Sequence, residues 1–196
     1  QIREIFTALG DMQKAGDYER VTNNIRESIF DVFYQNEGWF ISATEVGAQI
    51  DIWGTAFAVW IGLLPEKEEM ITCYKLLKAY HDGKSVDRGY VRHILVGEDE
   101  KNDSAWERAT CANNTYQNGG YWATPTGWYL YALAKADMKA TEDMTNEFIK
   151  HIMEYATQGS PFEWRSQGDK DYSGRLYGIS AALPYSALLR IIREHS

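Results

Sequence analysis

Positive charge is in short supply in this chain: 20 Lys and Arg stand against 28 Asp and Glu, a formal net charge of −8. Phosphate backbones and anionic membrane surfaces are held by basic patches, so this balance excludes nucleic acid and membrane as main partners. Neutral partners fit it. Cysteine is scarce as well. Cys73 falls in a helical pattern and Cys111 in a polar loop, settings too unlike for a disulfide framework, so both are expected as free thiols. The four histidines, His81, His93, His151 and His195, are scattered, and no Cys/His group has zinc spacing; no metal or cofactor is expected. There is no signal peptide and no apolar run long enough to span a bilayer. The chain starts at Gln1 inside a helical pattern rather than at Met, which fits a processed or truncated piece and leaves the compartment open.

What is present is enough for a sizeable core. A length of 196 residues with 44% apolar content predicts one domain over 1–196. Aromatics are abundant, with 7 Trp and 13 Tyr. The helical ones read as core. Trp39, Trp106, Trp122 and Trp164 fall in loops beside Gly, Asn and Glu, where they read as a ligand-contacting wall.

Hydrophobic periodicity alternates two kinds of helix. Amphipathic stripes mark outer helices: Tyr18, Val21, Ile25, Ile29 and Val32/Phe33, then residues 67–80, then 142–157. Segments 51–64, 126–136 and 177–192 are apolar nearly all round and predict buried inner helices. Short breaks follow each inner helix, with Pro65 well placed to start the next outer one. Long loops (35–49, 81–125, 158–176) precede each inner helix, and loops this long in a compact domain are usually functional. Within them, 38–41 and 89–96 read as short strands. The expected fold is therefore all-α: antiparallel helical hairpins forming part of an alpha/alpha toroid, with short β segments in the loops. A solenoid is the rival, but hairpins of roughly 50–75 residues exceed its usual period. The three loops, 37–50, 84–124 and 158–176, are expected to gather on one face.

Two motifs carry candidate chemistry. In Tyr116-Gln117-Asn118-Gly119-Gly120-Tyr121-Trp122, Asn118 and Gly119 permit a left-handed turn and Gly120 a close approach to a ligand, with the aromatics as stacking walls. An ordinary Asn-Gly hairpin turn is the alternative. In Pro161-Phe162-Glu163-Trp164, a carboxylate sits between two aromatic rings just before an inner helix, an arrangement that suits a sugar ring and an activated water. The alternative is a solvated loop glutamate. These motifs and the hairpin rhythm between them resemble the six-hairpin glycosidases, the glucoamylase and debranching-enzyme-like glycoside hydrolases, over the C-terminal half of their toroid. The resemblance implies inverting hydrolysis of a glycosidic bond, with Glu163 as general base and the proton donor supplied from outside this chain. It implies carbohydrate contacts from Asp51, Trp53, Tyr116, Asn118, Gly119, Tyr121, Trp122 and Trp164, and a missing N-terminal half or self-association to cover the open edge.

Other carboxylates compete. Asp51 is as well explained by a cap on the helix that follows it. Glu45 and Glu107 read as solvated, as does the run from Glu98 to Asp103, which lacks the Gly and spacing of a calcium loop. A non-catalytic carbohydrate-binding domain and a helical interaction domain remain as rival functions.

Overall fold

A computed structural model describes residues 1–35, 37–45, 47–98 and 111–195. Trp106, Glu107 and the run 99–103 lie outside the described residues. The chain divides into two compact units, residues 1–34 and 35–196.

The first unit is a helical hairpin of α1 (Ile2–Ala8) and α2 (Met12–Phe33). Gly10 turns the chain at φ +77°, and the Asp11 carboxylate caps α2 by accepting from the Lys14 N–H at 3.1 Å. Phe6 stacks on Tyr18 at 5.3 Å. The stripe Tyr18, Val21, Ile25 and Val32, which periodicity assigned to a core-facing side, is exposed.

In the second unit α5 (Thr126–Ala136) is the central post. It touches α3 (Ile52–Trp60), α4 (Glu66–His81), α6 (Met138–Glu154) and α7 (Ile179–His195). Tyr129, Leu130, Ala132 and Leu133 are fully buried there, and each buried leucine contributes about 1.5–3 kcal/mol. The Tyr129 hydroxyl reaches Leu76 O at 2.6 Å and the Ser85 hydroxyl at 2.7 Å, so its polar end is satisfied inside the core. Pro65 stands just before α4, whose first turn carries Glu66, Glu68 and Glu69 at the positive end of the helix dipole. Asp137 caps α6 through the Lys139 and Ala140 amides at 2.8 and 3.2 Å.

The long loops do not remain loops. β3 (Val86–Asp87), β4 (Tyr90–Arg92), β5 (Tyr121–Trp122), β6 (Trp164–Arg165) and β7 (Tyr172–Ser173) form one antiparallel sheet in chain order. Val91 pairs with Trp122 and Trp122 with Trp164, while Arg92 pairs with Tyr121 and Tyr121 with Arg165. Successive residues of a strand point to opposite faces. One face therefore carries Val86, Val91, Trp122, Trp164 and Ser173, and the other Asp87, Tyr90, Arg92, Tyr121, Arg165 and Tyr172. A separate two-stranded sheet pairs β1 (Tyr34–Gln35) with β2 (Trp39–Phe40).

This corrects the expected fold class. Among the described residues the protein is 58% helical and 11% strand, with seven α-helices beside a five-stranded sheet, so it is a mixed α and β structure and not an all-α partial toroid. The helices were readable because they run over several turns, but of the three segments expected to be buried all round only α5 is so: Phe57 of α3 and Ile179, Tyr185 and Ile192 of α7 are exposed. β2 and β4 fall in the segments 38–41 and 89–96 read as strands; the others are two residues long, too short to show a period of two, yet their backbone groups need partners once buried and find them in one another.

The sheet is fastened to the helices at Gly89. Its φ is +80°, and a Cβ there would lie 2.4 Å from Phe148 Cβ, so the β3–β4 turn rests directly on α6. The Thr126 hydroxyl donates to Gly89 O at 2.8 Å, tying the start of α5 to the same turn.

Candidate carbohydrate site

α3 opens at Asp51. Its carboxylate accepts from the Gly54 N–H at 2.9 Å, and its carbonyl accepts from the Thr55 N–H at 3.0 Å and the Thr55 hydroxyl at 2.6 Å. The Ile52 N–H donates to His93 O at 2.9 Å and the Trp53 indole N–H to Val91 O at 3.2 Å, so the first turn of α3 is hooked to the end of β4. Beside this junction is a cavity of about 300 Å³ lined by Ser42, Gln49, Ile50, Asp51, Trp53, His93 and Gln117. Loops before α3 and before α5 thus meet here, and β5–β6 pairing joins the loop before α7 to them, so the three loops gather as expected. Burial pushes the Asp51 carboxyl above its ordinary value, against the pull of the Gly54 and Trp53 amides.

A chain of rings leads away from the cavity. His93 meets Trp53 edge-on at 5.6 Å, Trp53 meets Trp122 at 5.5 Å, Trp122 meets Tyr116 at 5.0 Å, and Tyr116 meets Trp164 at 5.8 Å. These separations are those of favourable edge-to-face contacts. Sheet register produces the arrangement, because Trp122 and Trp164 are direct cross-strand partners.

The structure brings Asp51 and Trp53 to the cavity and Trp122, Tyr116 and Trp164 into the adjoining ring chain. Trp122 is buried, with its indole N–H on Tyr116 O at 3.0 Å, so it is the floor of that chain rather than an open stacking face. Tyr121 is corrected outright: one residue from Trp122 in a strand, it faces the other side of the sheet, fully buried against the Arg92 and Arg165 guanidiniums at 5.5 and 5.7 Å. Asn118 is buried and its amide donates to Cys111 O and Asn113 Oδ1, both at 2.9 Å, holding the loop itself. Gly119 takes the left-handed turn at φ +88°. Gly120 does allow a close approach, but of Tyr116 O, 2.5 Å from where a Cβ would stand.

Glu163 is half-buried and is not among the side chains lining the cavity. Its N–H donates to Ser173 O and Gly174 O at 3.0 and 2.9 Å. The two flanking rings part company: Phe162 is buried and stacks on Tyr172 at 4.2 Å, while Trp164 joins Tyr116. His93, Gln49, Ser42 and Gln117 escaped the sequence reading. His93 was within reach of it, since it follows Val91 by two residues in a segment already read as a strand.

Behind the sheet lies a second polar arrangement. Asp169 accepts from Arg165 Nη1 at 2.7 Å and Arg88 Nη1 at 2.6 Å, and pairs with His151 Nε2 at 3.2 Å. Arg165 also donates to Asp87 Oδ2 at 2.7 Å, and Arg88 also pairs with Glu154. Arg165 and His151 are fully buried. Burial pushes the Asp169 carboxyl up, but Arg165, the His151 hydrogen bond and Arg88 outweigh it and hold it below its ordinary value. Burial, reinforced by Arg165, lowers His151 despite Asp169. This cluster ties the β6–β7 hairpin, and so Trp164, to α6 and the β3–β4 turn.

Among the described residues no group of three or more His, Cys, Asp or Glu is placed to hold a metal ion, and no helix is long and apolar enough to cross a membrane. The sequence matches no protein-family model, and a search of curated proteins finds no match.

Proposed function

We propose that this chain binds a carbohydrate in the Asp51–Trp53 cavity and serves hydrolysis of a glycosidic bond. The observation that carries the reading is the cavity itself: one carboxylate, one half-buried indole and the side chains of Ser42, Gln49 and Gln117 around about 300 Å³, continued by a chain of rings. An indole covers the C–H face of a sugar, and hydroxyl and amide groups orient its hydroxyls. Glu163 directly precedes Trp164, at the far end of the ring chain from Asp51, and is half-buried outside the cavity lining, so hydrolysis there calls for a substrate that extends beyond the cavity. In an inverting mechanism Glu163 takes the proton of the attacking water while an acid roughly 6.5–9.5 Å away protonates the leaving oxygen.

A second reading, a carbohydrate-binding domain without turnover, is favoured by two observations: Asp51 is engaged as a helix cap, and Glu163 does not line the cavity. Titration with neutral oligosaccharides tests both readings at once. Trp53→Ala should weaken binding about tenfold, the upper value for one ring contact, and Trp53→Phe should recover part of it. Unchanged affinity in Trp53→Ala removes the site. NMR of the product anomer then separates the readings: an inverted product, lost in Glu163→Gln with binding kept, supports hydrolysis. Binding with no turnover in the full-length protein leaves the binding domain.

A further inference from the structure

Resting on the sugar-binding reading, we infer that the Asp51–Trp53 cavity selects neutral sugar rings and rejects acidic ones, those bearing a uronate, sialyl or sulfate group. The basis is the distribution of charge across the sheet. The described residues lining the cavity include one carboxylate, Asp51, and no Lys or Arg. The two arginines of the adjoining strands, Arg92 and Arg165, are on the opposite face, because Val91 and Trp122 occupy this one and strand residues alternate. Arg165 is moreover spent on Asp87 and Asp169.

A rival source of positive potential is the N-terminus of α3, which points its first amides at the same junction. Those amides are taken. The Ile52 N–H goes to His93 O, the Gly54 N–H and the Trp53 amide to the Asp51 carboxylate, and the Thr55 N–H to Asp51 O. Asp51 therefore does two things at once: it occupies the helix end that would attract an anion and adds a negative charge of its own. A ring carrying a carboxylate or sulfate would have to leave water for a partly buried wall whose described residues offer it repulsion from Asp51 and, beyond the His93 imidazole, no basic group. A neutral ring loses nothing comparable, since the exposed Gln117 amide, and the Ser42 oxygen whose proton goes to Gly47 O, exchange hydrogen bonds for those of water.

The test is an array of neutral, uronate-containing, sialylated and sulfated oligosaccharides probed with the 196-residue chain, followed by titration of matched neutral and acidic members. Neutral members are expected to bind about tenfold or more tightly than acidic counterparts of the same backbone, with the gap narrowing at high salt. Asp51→Asn, which preserves the cap because asparagine serves there as well as aspartate, should narrow the gap. Gln117→Lys, on an exposed side chain of the cavity wall outside α3, should narrow it independently. Acidic glycans bound as tightly as neutral ones, or a ratio that neither variant moves, overturns the inference while leaving sugar binding standing. Retention of no glycan of any class sinks the sugar-binding reading and this inference with it.

Discussion

Asp169→Asn is the perturbation that asks most of the structure. Asp169 has φ +55°, a left-handed conformation that asparagine tolerates at least as well, so the substitution leaves the backbone alone and removes only the charge. Three donors then share one amide oxygen, and at least one of them faces an N–H₂ group. Arg165 is the costly one, being fully buried; it keeps Asp87 Oδ2 and Asp87 O, both at 2.7 Å, and Ser166 O at 3.1 Å. Losing its charge-assisted bond to Asp169 costs about 2 kcal/mol. Arg88 is partly exposed and retains Glu154, so its share is smaller, roughly 0.5 kcal/mol. The neutral His151 pair adds about 0.5 kcal/mol. The sum, about 3 kcal/mol, lies at the low end of what breaking a buried ion pair costs. With a urea slope of about 2 kcal/mol/M, the unfolding midpoint should fall by about 1.5 M. Near-UV circular dichroism from the Trp164 and Tyr116 contact should weaken before global unfolding, because the lost anchor holds their hairpin. A midpoint shift below about 0.3 M would show that Arg165 and His151 are held by something other than Asp169, and the account of the sheet's far face would be wrong.

Acid should loosen the same cluster from a predictable direction. The folded pKa of His151 lies below its ordinary value, so its contribution is present above about pH 6.5 and is lost as pH falls toward the folded value; Asp169, also lowered, extends the loss below about pH 3.9. Unfolding midpoints measured across this range should show a decline that His151→Gln flattens at its upper end, and an identical profile in that variant would refute it. Gly89→Ala should cost about 2–4 kcal/mol, because the added methyl meets the α6 backbone as well as Phe148 Cβ; a thermal midpoint within a degree of wild type would contradict the packing at that turn. Of the two thiols, Cys111 is half-exposed while Cys73 is buried, with its pKa pushed up to about 12 by burial and Glu69. A native-state thiol titration should therefore consume one equivalent quickly and the second only on unfolding, and two fast equivalents would refute the burial of Cys73.

What could be read in the sequence is what repeats over several turns. The apolar run at 126–136 coincides with α5, and Pro65 does precede α4, because a buried helix and a proline at a helix start leave local marks. The strands left fewer: the segments 38–41 and 89–96, read as short strands, contain β2 and β4, but the other strands had no mark. Tyr121-Trp122 and Trp164-Arg165 are dipeptides, and only tertiary pairing makes them strands. For the same reason the aromatic motif was visible but its sidedness was not: Tyr116, Tyr121 and Trp122 look alike as a cluster, yet register sends Tyr121 to the arginines and Trp122 to Trp53. Asp51 could be named twice over, as cap and as ligand contact, and the structure gives it the cap while leaving it on the cavity wall. The hub at Asp169 was invisible, since its partners Arg88, His151 and Arg165 come from three separated segments.

The alternation of the sheet also constrains how such a chain can drift over generations. β5 is pinned from one side by the short step to Thr126, whose hydroxyl holds Gly89 O. A single codon gained or lost between Trp122 and Thr126 would rotate the strand by one place, turning an indole toward two buried guanidiniums and a phenol toward the cavity side. Loops that end in turns absorb such changes, but this step does not. The four-residue spacing from Trp122 to Thr126 therefore behaves as a fixed ruler that sets which chemistry each face of the sheet can offer.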